Sequence, residues 1–398
     1  MPKSTVKLGI DRFSEQPSAY VGSEKVALLC HAASVNQQFK HLTTIVAEAG
    51  LNVVRCFGPE HGIWADAQDM EAVDDGDKLE PVTGAPVTSL YGHSIEQLTP
   101  HIDLLRDVDT LIIDLQDIGT RYYTYIYTAC LCTKICAQTN TRVLILDRPN
   151  PLGGQEVEGR YTGEDYLSFV GLWPLPTRHG LTLAEVVSLI STREAWGAHI
   201  DVIEVEGWQR EQLLSETGQN WVIPSPNMPS FEAMLVYPGM CLIEGTEMSE
   251  ARGTTKPFEW VGAGFIDPFQ WSKALNQLHL PGMQFRGLFY KPTFHKWANQ
   301  TIGGAHLHIT DPHLLQPLRM GLQLLGVTRR MYGDRLEWRS KAYEFVIDRM
   351  AIDLLFGDSE ARELIDSHAC PKELDDYWSR CQKEAELFKE ERAPFLRY

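Results

Sequence analysis

One short segment of the chain combines a carboxylic acid with residues that fix a tight turn. Glu60 follows Pro59, and His61 and Gly62 come directly after it. Proline and glycine favour a tight turn, which would hold the Glu60 carboxyl group in one position. Because removal from water raises the pKa of a carboxyl group, a fixed glutamate of this kind suits general acid catalysis. We interpret Glu60 as a candidate catalytic residue, and the structural alternative is a helix cap or an arginine partner.

The residues that follow Glu60 leave several interpretations open. His61 could donate to a sugar hydroxyl, act as a base or bind a metal, but a single histidine beside a glycine more often makes a structural hydrogen bond. The acidic stretch after it lacks the regular ligand spacing of a calcium loop. We predict a solvated acidic loop and no metal site, with Asp66 as a candidate substrate contact. The acidic residues of this stretch are Asp66, Asp69, Asp74, Asp75 and Asp77.

Three other predicted strands also end in polar residues. Ligands of open α/β sheets lie beyond the carboxyl ends of the strands, so these side chains should meet at one edge. Carboxylates, arginines and amides without a phosphate-binding loop favour a polyhydroxylated ligand, neutral or acidic. Tyr122 and Tyr123 could stack on a sugar ring, and Arg148 could instead pair with Asp147. The candidates at these strand ends are Ser34, Asn36, Asp114, Gln116, Asp117, Arg121, Arg148 and Asn150.

The loop before a later predicted helix carries two more candidates. Thr182 and Glu185 have the spacing of a capping box, so Thr182 is the predicted N-cap of that helix. This assignment leaves Arg178 and His179 able to face the crevice.

Charged residues also gather near the predicted domain junction. Glu244 and Glu250 could supply a second carboxylate from the far side of the cleft, and Arg252 could bind an anion. Asn227, in a proline-rich loop, is a further candidate contact. The alternative is a hinge whose charges pair with each other.

The elements that must position these residues have the pattern of an α/β fold. In the first 150 residues, short apolar runs alternate with longer amphipathic stretches, which predicts parallel strands joined by crossover helices. We expect a Rossmann-like, doubly wound and mainly parallel sheet. No glycine-rich dinucleotide fingerprint follows the first strand, so no nicotinamide or flavin cofactor is expected. The predicted strands are 26–30, 51–57, 111–115 and 143–147, and the predicted helices are 38–49, 122–138 and 183–192.

The last 150 residues have a different pattern of apolar and polar residues. Apolar and polar residues alternate over 285–290 and 305–309, and helical patterns follow over 314–325 and in a charged tail. A chain of 398 residues also exceeds what one core usually supports. We predict a Rossmann-like N-terminal domain over 1–230 and a smaller α+β C-terminal domain over 231–398, with the site in the cleft between them.

The amino-acid composition limits which binding partners and which cellular compartment we expect. The formal net charge is −17, from 53 acidic and 36 basic residues, so neither nucleic acid nor an anionic membrane surface is an expected partner. The sequence has no apolar run typical of a secretion signal or a membrane span. Its eight cysteines lack paired zinc-type spacings and are expected to be reduced. We expect a cytoplasmic protein that acts on a small molecule.

Taken together, the ordered segments resemble the exo-β-N-acetylmuramidases of the NamZ type, over nearly the whole chain. That resemblance implies release of N-acetylmuramic acid from the non-reducing end of peptidoglycan fragments. It also implies a Rossmann-like domain, a smaller C-terminal domain and an active site between them. Without a secretion signal, recycling of imported fragments is favoured. The matching segments are 58–62, 89–92, 114–117, 147–151, 178–180, 225–229 and 244–254.

The resemblance gives the candidate residues specific roles. Glycoside hydrolysis usually needs two carboxyl groups, and Glu60 would be the general acid. Glu244 or Glu250 ranks ahead of Asp117 as its partner, and the 2-acetamido group of the substrate is another possible nucleophile. Muramic acid carries a lactyl carboxylate, which an arginine would bind in a bidentate manner. The candidate arginines are Arg121, Arg148, Arg178 and Arg252.

Two alternatives to an exo-muramidase remain at this point. One is a non-catalytic protein that binds sugars or cell-wall fragments in the same cleft. The other is a nucleotide-cofactor enzyme, which only the sheet topology suggests. Neither a cofactor nor a metal is expected.

Overall fold

The N-terminal half of the protein is built on one parallel β-sheet. The computed structural model describes residues 6–68, 71–73 and 78–398. Asp69, Asp74, Asp75 and Asp77, part of the predicted acidic loop, lie outside these residues. The strands of the sheet are β1 Lys25–Cys30, β2 Asn52–Gly58, β3 Val87–Ser89, β4 Thr110–Asp114, β5 Arg142–Leu146 and β6 Ile200–Ile203.

The strand order is that of a Rossmann-type sheet. The order is β3-β2-β1-β4-β5-β6, and every neighbouring pair is parallel. The order reverses between β1 and β4, which is where ligands bind in such sheets. The predicted doubly wound α/β fold is confirmed.

Two strands of this parallel sheet were not predicted, because both are short edge strands. Strand β3 has three residues, and β6 is only partly buried, with the sequence Ile-Asp-Val-Ile. Such segments carry little of the continuous apolar signal that marks a strand buried on both faces.

Helices cover both faces of the sheet. Leu29 and Ile113 point into the core that contains the α4 and α5 side chains, whereas Leu28 and Ile112 point into the core on the α1 and α3 side. The alternation follows from the two-residue period of a strand. The helices are α1 Gly9–Glu15, α2 Pro17–Val21, α3 Leu42–Glu48, α4 Tyr125–Thr139, α5 Leu183–Arg193, α6 Phe231–Met240, α7 Pro268–Asn276, α8 Pro317–Tyr332, α9 Ala351–Phe356, α10 Glu360–Asp366 and α11 Pro371–Arg392.

Helices α3 and α4 begin later than predicted, and for α3 the cause is local. Helix α3 begins at Leu42 and not at residue 38, because Asn36 Oδ1 accepts hydrogen bonds from the backbone N–H groups of Gln38 and Lys40. This side chain competes with the helix for backbone donors. Helix α4 begins at Tyr125, after Thr124 as the N-cap residue. The residues just before α4 therefore stay at the sheet edge.

A smaller domain with an antiparallel sheet forms the C-terminal part. Its strands are β7 Trp260–Ala263, β8 Met283–Tyr290 and β9 Ile302–Ile309, in the order β7-β9-β8. Helix α7 packs on β8 and β9, and α8 packs on α6 and α11. The predicted helix over 314–325 is α8, which begins at Pro317 and continues to Tyr332. Within the described residues, no helix is long and apolar enough to cross a membrane.

The end of the chain returns to the N-terminal sheet. The Arg392 guanidinium donates to the carbonyl groups of His179 and Gly180, and the Tyr398 hydroxyl donates to Asp147 Oδ2 at 2.7 Å. These contacts fasten the loop before α5 and the end of β5. Residues near the C-terminal end of the sequence thus hold part of the carboxyl edge of the N-terminal sheet.

Candidate active site

The segment after β2 forms the tight turn that the sequence predicts. The N–H of Gly62 donates to the carbonyl of Pro59 at 2.9 Å. His61 has φ 69°, and its Nδ1–H donates to the carbonyl of Ala67 at 2.9 Å. The turn leaves the Glu60 side chain only 7% exposed. Glu60 is therefore a fixed and nearly buried carboxyl group.

One hydroxyl group orients the Glu60 carboxyl group. The Thr124 hydroxyl donates to Glu60 Oε2 at 2.6 Å. Thr124 follows β4, whereas Glu60 follows β2, so this hydrogen bond joins the strand ends on either side of β1. The topology of the sheet thus determines which hydroxyl meets Glu60.

Glu60 lies in a pocket between the sheet edge and the C-terminal domain. Seven predicted site residues line this pocket, which has a volume of about 40 Å³. Those seven are Glu60, His61, Tyr122, Tyr123, Asn227, Glu244 and Arg252. Residues that the sequence analysis did not select complete its wall, namely Thr124, Tyr125, Val170, Ser225, Met228, Tyr237, Phe258, Tyr343 and Glu344.

Glu244 and Arg252 form a buried pair in the far wall of the pocket. Glu244 lies in the 3₁₀ turn Cys241–Gly245 that follows α6. Its Oε1 accepts from Arg252 Nη2 at 2.7 Å, and its Oε2 accepts from the Tyr343 hydroxyl at 2.7 Å. Burial raises the pKa of Tyr343 far above its usual range, so this hydroxyl stays protonated as a donor.

A two-residue turn brings a third carboxyl group to the pocket. Tyr343 and Val346 exchange backbone hydrogen bonds of 3.0 and 2.9 Å. The two residues between them, Glu344 and Phe345, have φ angles of 46° and 68°. The Tyr91 hydroxyl donates to Glu344 Oε2 at 3.1 Å, and Glu344 is 4% exposed. Nothing near Glu344 in sequence marks it as a site residue, because the turn lacks the usual Asn-Gly signal.

Glu250 is held by cations and does not line the pocket. Burial alone would raise its pKa, but the Lys296 ammonium group, with His295 and Arg252, brings the pKa of Glu250 well below its usual range. Lys296 Nζ lies 3.0 Å from Glu250 Oε2, and His295 Nδ1 lies 3.2 Å from Oε1. The structure therefore separates Glu250 from Glu244, although the sequence suggested both as the second carboxylate.

Three of the four candidate arginines do not line the pocket, and each has partners elsewhere in the fold or in its backbone. Arg148 makes a two-pronged ion pair with Asp114, at 2.6 and 3.0 Å, and also donates to the carbonyl of Val35. Arg178 Nη1 pairs with Glu158 Oε1 at 2.9 Å. Arg121 is fully buried and donates to the backbone carbonyl groups of Val170, Leu354 and Leu355. Among the four, Arg252 is the one in the pocket wall.

Asp117 and His179 form another buried pair outside the pocket wall. His179 Nε2 lies 3.7 Å from Asp117 Oδ2. Burial raises the pKa of Asp117 to about 7 and lowers that of His179 to about 3. Both groups therefore avoid charge in the interior at neutral pH or slightly below it.

The remaining candidates also lie outside the pocket wall, each for a local reason. Asp114 is the partner of Arg148, and Asp66 is exposed to solvent. The Gln116 side chain donates to the carbonyl of Asp117, and the Asn150 side chain bonds the backbone of Leu152 and Leu181. These strand-end side chains stabilise turns, whereas the sequence analysis expected them at the ligand.

Comparisons with known proteins agree with this architecture. The family model for the N-terminal part of the exo-β-N-acetylmuramidase NamZ matches residues 26–232, and the model for its C-terminal part matches residues 235–398. The peptidoglycan β-N-acetylmuramidase NamZ of Bacillus subtilis is 38% identical over 339 residues, which cover 85% of this chain and 81% of that protein.

Two crystal structures of DUF1343 family proteins from Bacteroides fragilis share the fold. One superimposes with a TM-score of 0.87 at 28% identity and covers 100% of both chains. The other has a TM-score of 0.76 at 26% identity and covers 99% of both chains. The sheet order, the pocket at the sheet edge and these matches lead to one conclusion: the chain belongs to the NamZ family of exo-β-N-acetylmuramidases.

Proposed function

We propose that this protein is an exo-acting glycoside hydrolase that releases N-acetylmuramic acid from the non-reducing end of peptidoglycan fragments. The observation that carries the proposal is the oriented carboxyl group of Glu60, held by Thr124 in a pocket that also contains Glu244 and Arg252. Membership of the NamZ family supports the same substrate class. A binding protein would have no need of a buried, oriented carboxyl group beside two others.

In this proposal Glu60 is the general acid. Its carboxyl group donates a proton to the glycosidic oxygen as the bond to the anomeric carbon breaks. The Thr124 hydrogen bond fixes the Glu60 side chain in one rotamer. Little conformational entropy of this side chain is therefore lost on reaching the transition state. A second carboxyl group must support attack at the anomeric carbon, and the sequence analysis ranked Glu244 or Glu250 ahead of Asp117 for this role.

Arg252 is the proposed partner of the lactyl carboxylate of muramic acid. A planar guanidinium group matches a carboxylate in a bidentate manner, and Arg252 lines the pocket. Its contacts with Glu244 and Glu250 hold the guanidinium group in place. This arrangement would distinguish N-acetylmuramic acid from N-acetylglucosamine, which lacks the lactyl group.

The other pocket residues suit the neutral parts of a sugar. The rings of Tyr122 and Tyr123 offer apolar surface to a pyranose, and His61 and Asn227 offer polar groups to its hydroxyls. Ligand pockets typically measure about 300–1,000 Å³, so a pocket of about 40 Å³ must open before a sugar enters. We propose that the C-terminal wall moves away from the sheet edge.

We also propose a structural role for the charged candidates outside the pocket. Asp117, Glu250, Asp114, Arg121, Arg148 and Arg178 stabilise the strand ends and the domain contact. We propose that the N-terminal domain spans residues 1–230 and the C-terminal domain residues 231–398. We also propose that the protein recycles imported peptidoglycan fragments in the cytoplasm. Support for a reducing compartment comes from the eight cysteines, none of which forms a disulfide among the described residues.

Purified protein and the disaccharide MurNAc-GlcNAc give the direct test. We expect release of free N-acetylmuramic acid, and from longer glycans we expect the same sugar from the non-reducing end alone. The variant Glu60→Gln should lose at least about 100-fold in kcat, because general acid catalysis contributes about 10²–10⁴-fold. The exposed residue Glu164 provides the control Glu164→Gln, which should keep wild-type activity. Release of internal fragments, or normal turnover by Glu60→Gln, would contradict the proposal.

A further inference from the structure

The turn that carries Glu344 has an unfavourable backbone. A two-residue connection with positive φ at both central positions has the φ signs of a type I′ turn, which strongly prefers Asn-Gly. Here the central residues are Glu344 and Phe345, with φ 46° and 68°. For residues with a large side chain this conformation is strained, and such strain collects at functional sites.

The side chains of both residues in the strained turn contact Tyr91. The Phe345 ring packs on the Tyr91 ring, with the centroids 5.7 Å apart, and the Tyr91 hydroxyl donates to Glu344 Oε2 at 3.1 Å. Tyr91 belongs to the N-terminal domain, just after β3. The turn therefore docks on the sheet edge and presents Glu344 to the pocket that contains Glu60.

Of the other carboxyl groups in the pocket wall, Glu244 already has a clear structural role. One of its oxygens binds Arg252 and the other binds Tyr343, each at 2.7 Å. Tyr343 directly precedes Glu344, so the Glu244 carboxylate also anchors the strained turn. This arrangement suits a positioning residue.

On the basis of the proposed function, we infer that Glu344 is the second catalytic carboxylate. Glu60 donates its proton to the glycosidic oxygen as the bond to the anomeric carbon breaks. Glu344 accepts a proton from water as the oxygen of that water bonds to the anomeric carbon. The sum of the two steps is hydrolysis, which requires no other reactant.

Variants of Glu344 test this role. We expect Glu344→Gln to lower kcat on an aryl N-acetylmuramide at least about 100-fold, with KM changed less than about threefold. We expect Glu344→Ala to recover activity in azide, since azide attacks without losing a proton. The product should be the α-anomer of N-acetylmuramoyl azide, formed by attack opposite the leaving group.

The outcomes separate this inference from the proposed function. If the wild-type protein hydrolyses no muramide, the proposed function fails. If the wild type is active and Glu344→Gln has normal kcat, or if folded Glu344→Ala gives no α-azide, the role of Glu344 fails. The melting temperature of each variant shows whether the protein is folded. As a matched control, Glu244→Gln should shift KM and stability and should gain nothing from azide.

An open cleft beside the pocket carries a second, independent inference. The cleft has a volume of about 670 Å³, and Asn227 lines both it and the pocket of Glu60. Trp260 and Phe294 lie in its wall, and Phe294 is 44% exposed. Aromatic faces of this kind pack well on the apolar faces of sugar rings.

We propose that this cleft binds the leaving-group side of the substrate, a β-linked N-acetylhexosamine and the glycan that follows it. An enzyme that removes terminal sugars needs a closed pocket for that sugar and an open path for the rest of the chain. The small pocket and the wide cleft match this division. The proposal rests on the proposed function and concerns a separate set of residues.

Two substrates with different leaving groups test the cleft. We expect Trp260→Ala and Phe294→Ala to raise KM for MurNAc-GlcNAc about tenfold and to leave kinetics on an aryl N-acetylmuramide nearly unchanged. Trp338, which lies at a different surface cavity, provides the control Trp338→Ala. Equal effects on both substrates, or none on the disaccharide, would overturn this proposal. Loss of all hydrolysis by the wild type would instead count against the proposed function.

Discussion

The hydroxyl oxygen of Thr124 lies 2.6 Å from Oε2 of Glu60. The two residues are far apart in sequence, but the strands that precede them flank β1 on its two sides. Because Thr124 is also the N-cap residue of α4, its backbone position is fixed by the helix. Helix α4, which covers one face of the sheet, thus also positions the hydroxyl group that orients Glu60.

Removal of the Thr124 hydroxyl should slow catalysis. The general acid is uncharged before it donates its proton, and a hydrogen bond of this kind contributes about 0.5–1.5 kcal/mol, so we expect Thr124→Val to lower kcat up to about tenfold with little change in KM. Steady-state kinetics on MurNAc-GlcNAc measure this effect. Thr124→Ser should restore most of the rate. Thr133, whose hydroxyl binds the carbonyl of Ala129 within the same helix, gives the control Thr133→Val, with kcat unchanged.

Arg252→Lys should weaken the preference for muramic acid. Lysine keeps the positive charge beside Glu244 and Glu250 but cannot bind a carboxylate with two parallel N–H groups. We expect the Kd for N-acetylmuramic acid to rise about tenfold, with little change for N-acetylglucosamine, as measured by calorimetry. Arg178→Lys should not alter this preference, because Arg178 lies outside the pocket wall. A similar loss for both sugars would show that Arg252 does not bind the lactyl group.

The buried pair of Arg178 and Glu158 should matter for stability and not for catalysis. Their side chains are 8% and 4% exposed. Glu158→Gln leaves the Arg178 charge buried without its counter-charge, which costs about 3–5 kcal/mol. Urea unfolding measures this loss, and kcat of the folded variant should match the wild type. A large fall in kcat at unchanged stability would assign the pair to the site.

Asp117 should make the protein less stable as the pH rises. Burial raises its pKa from 3.8 to about 7 in the folded protein, so the folded state holds this proton more tightly than the unfolded state. This contribution is fully present below pH 3.8 and is lost as the pH rises to about 7. At about 1.36 kcal/mol per pKa unit, the loss is at most about 4 kcal/mol.

The variant Asp117→Asn isolates this effect, because asparagine has no proton to lose and can still accept from the N–H of Gly119. Urea unfolding at pH 5 and pH 8 should show that the stability of the variant relative to the wild type increases with pH. A constant difference between the two proteins would mean that Asp117 does not titrate in this range.

Much of the fold was predictable because strands buried on both faces leave a strong signal. The apolar runs that became β1, β4 and β5 are nearly continuous, as parallel strands between two helix layers must be. The edge strands β3 and β6 are short or half-buried and gave no such signal. Helix starts were less predictable, since side chains such as Asn36 compete locally for backbone donors.

For the site, the sequence by itself determined the turn that holds Glu60, because proline and glycine restrict the backbone wherever the chain folds. It also indicated that the strand ends carry polar residues. Only the tertiary structure decided which of them meet. Asp114 binds Arg148, and Glu158 binds Arg178. Arg252 and Glu344 reach the pocket from the C-terminal domain. Partners of buried charges depend on which surfaces pack together, and residue spacing along the chain does not encode that packing.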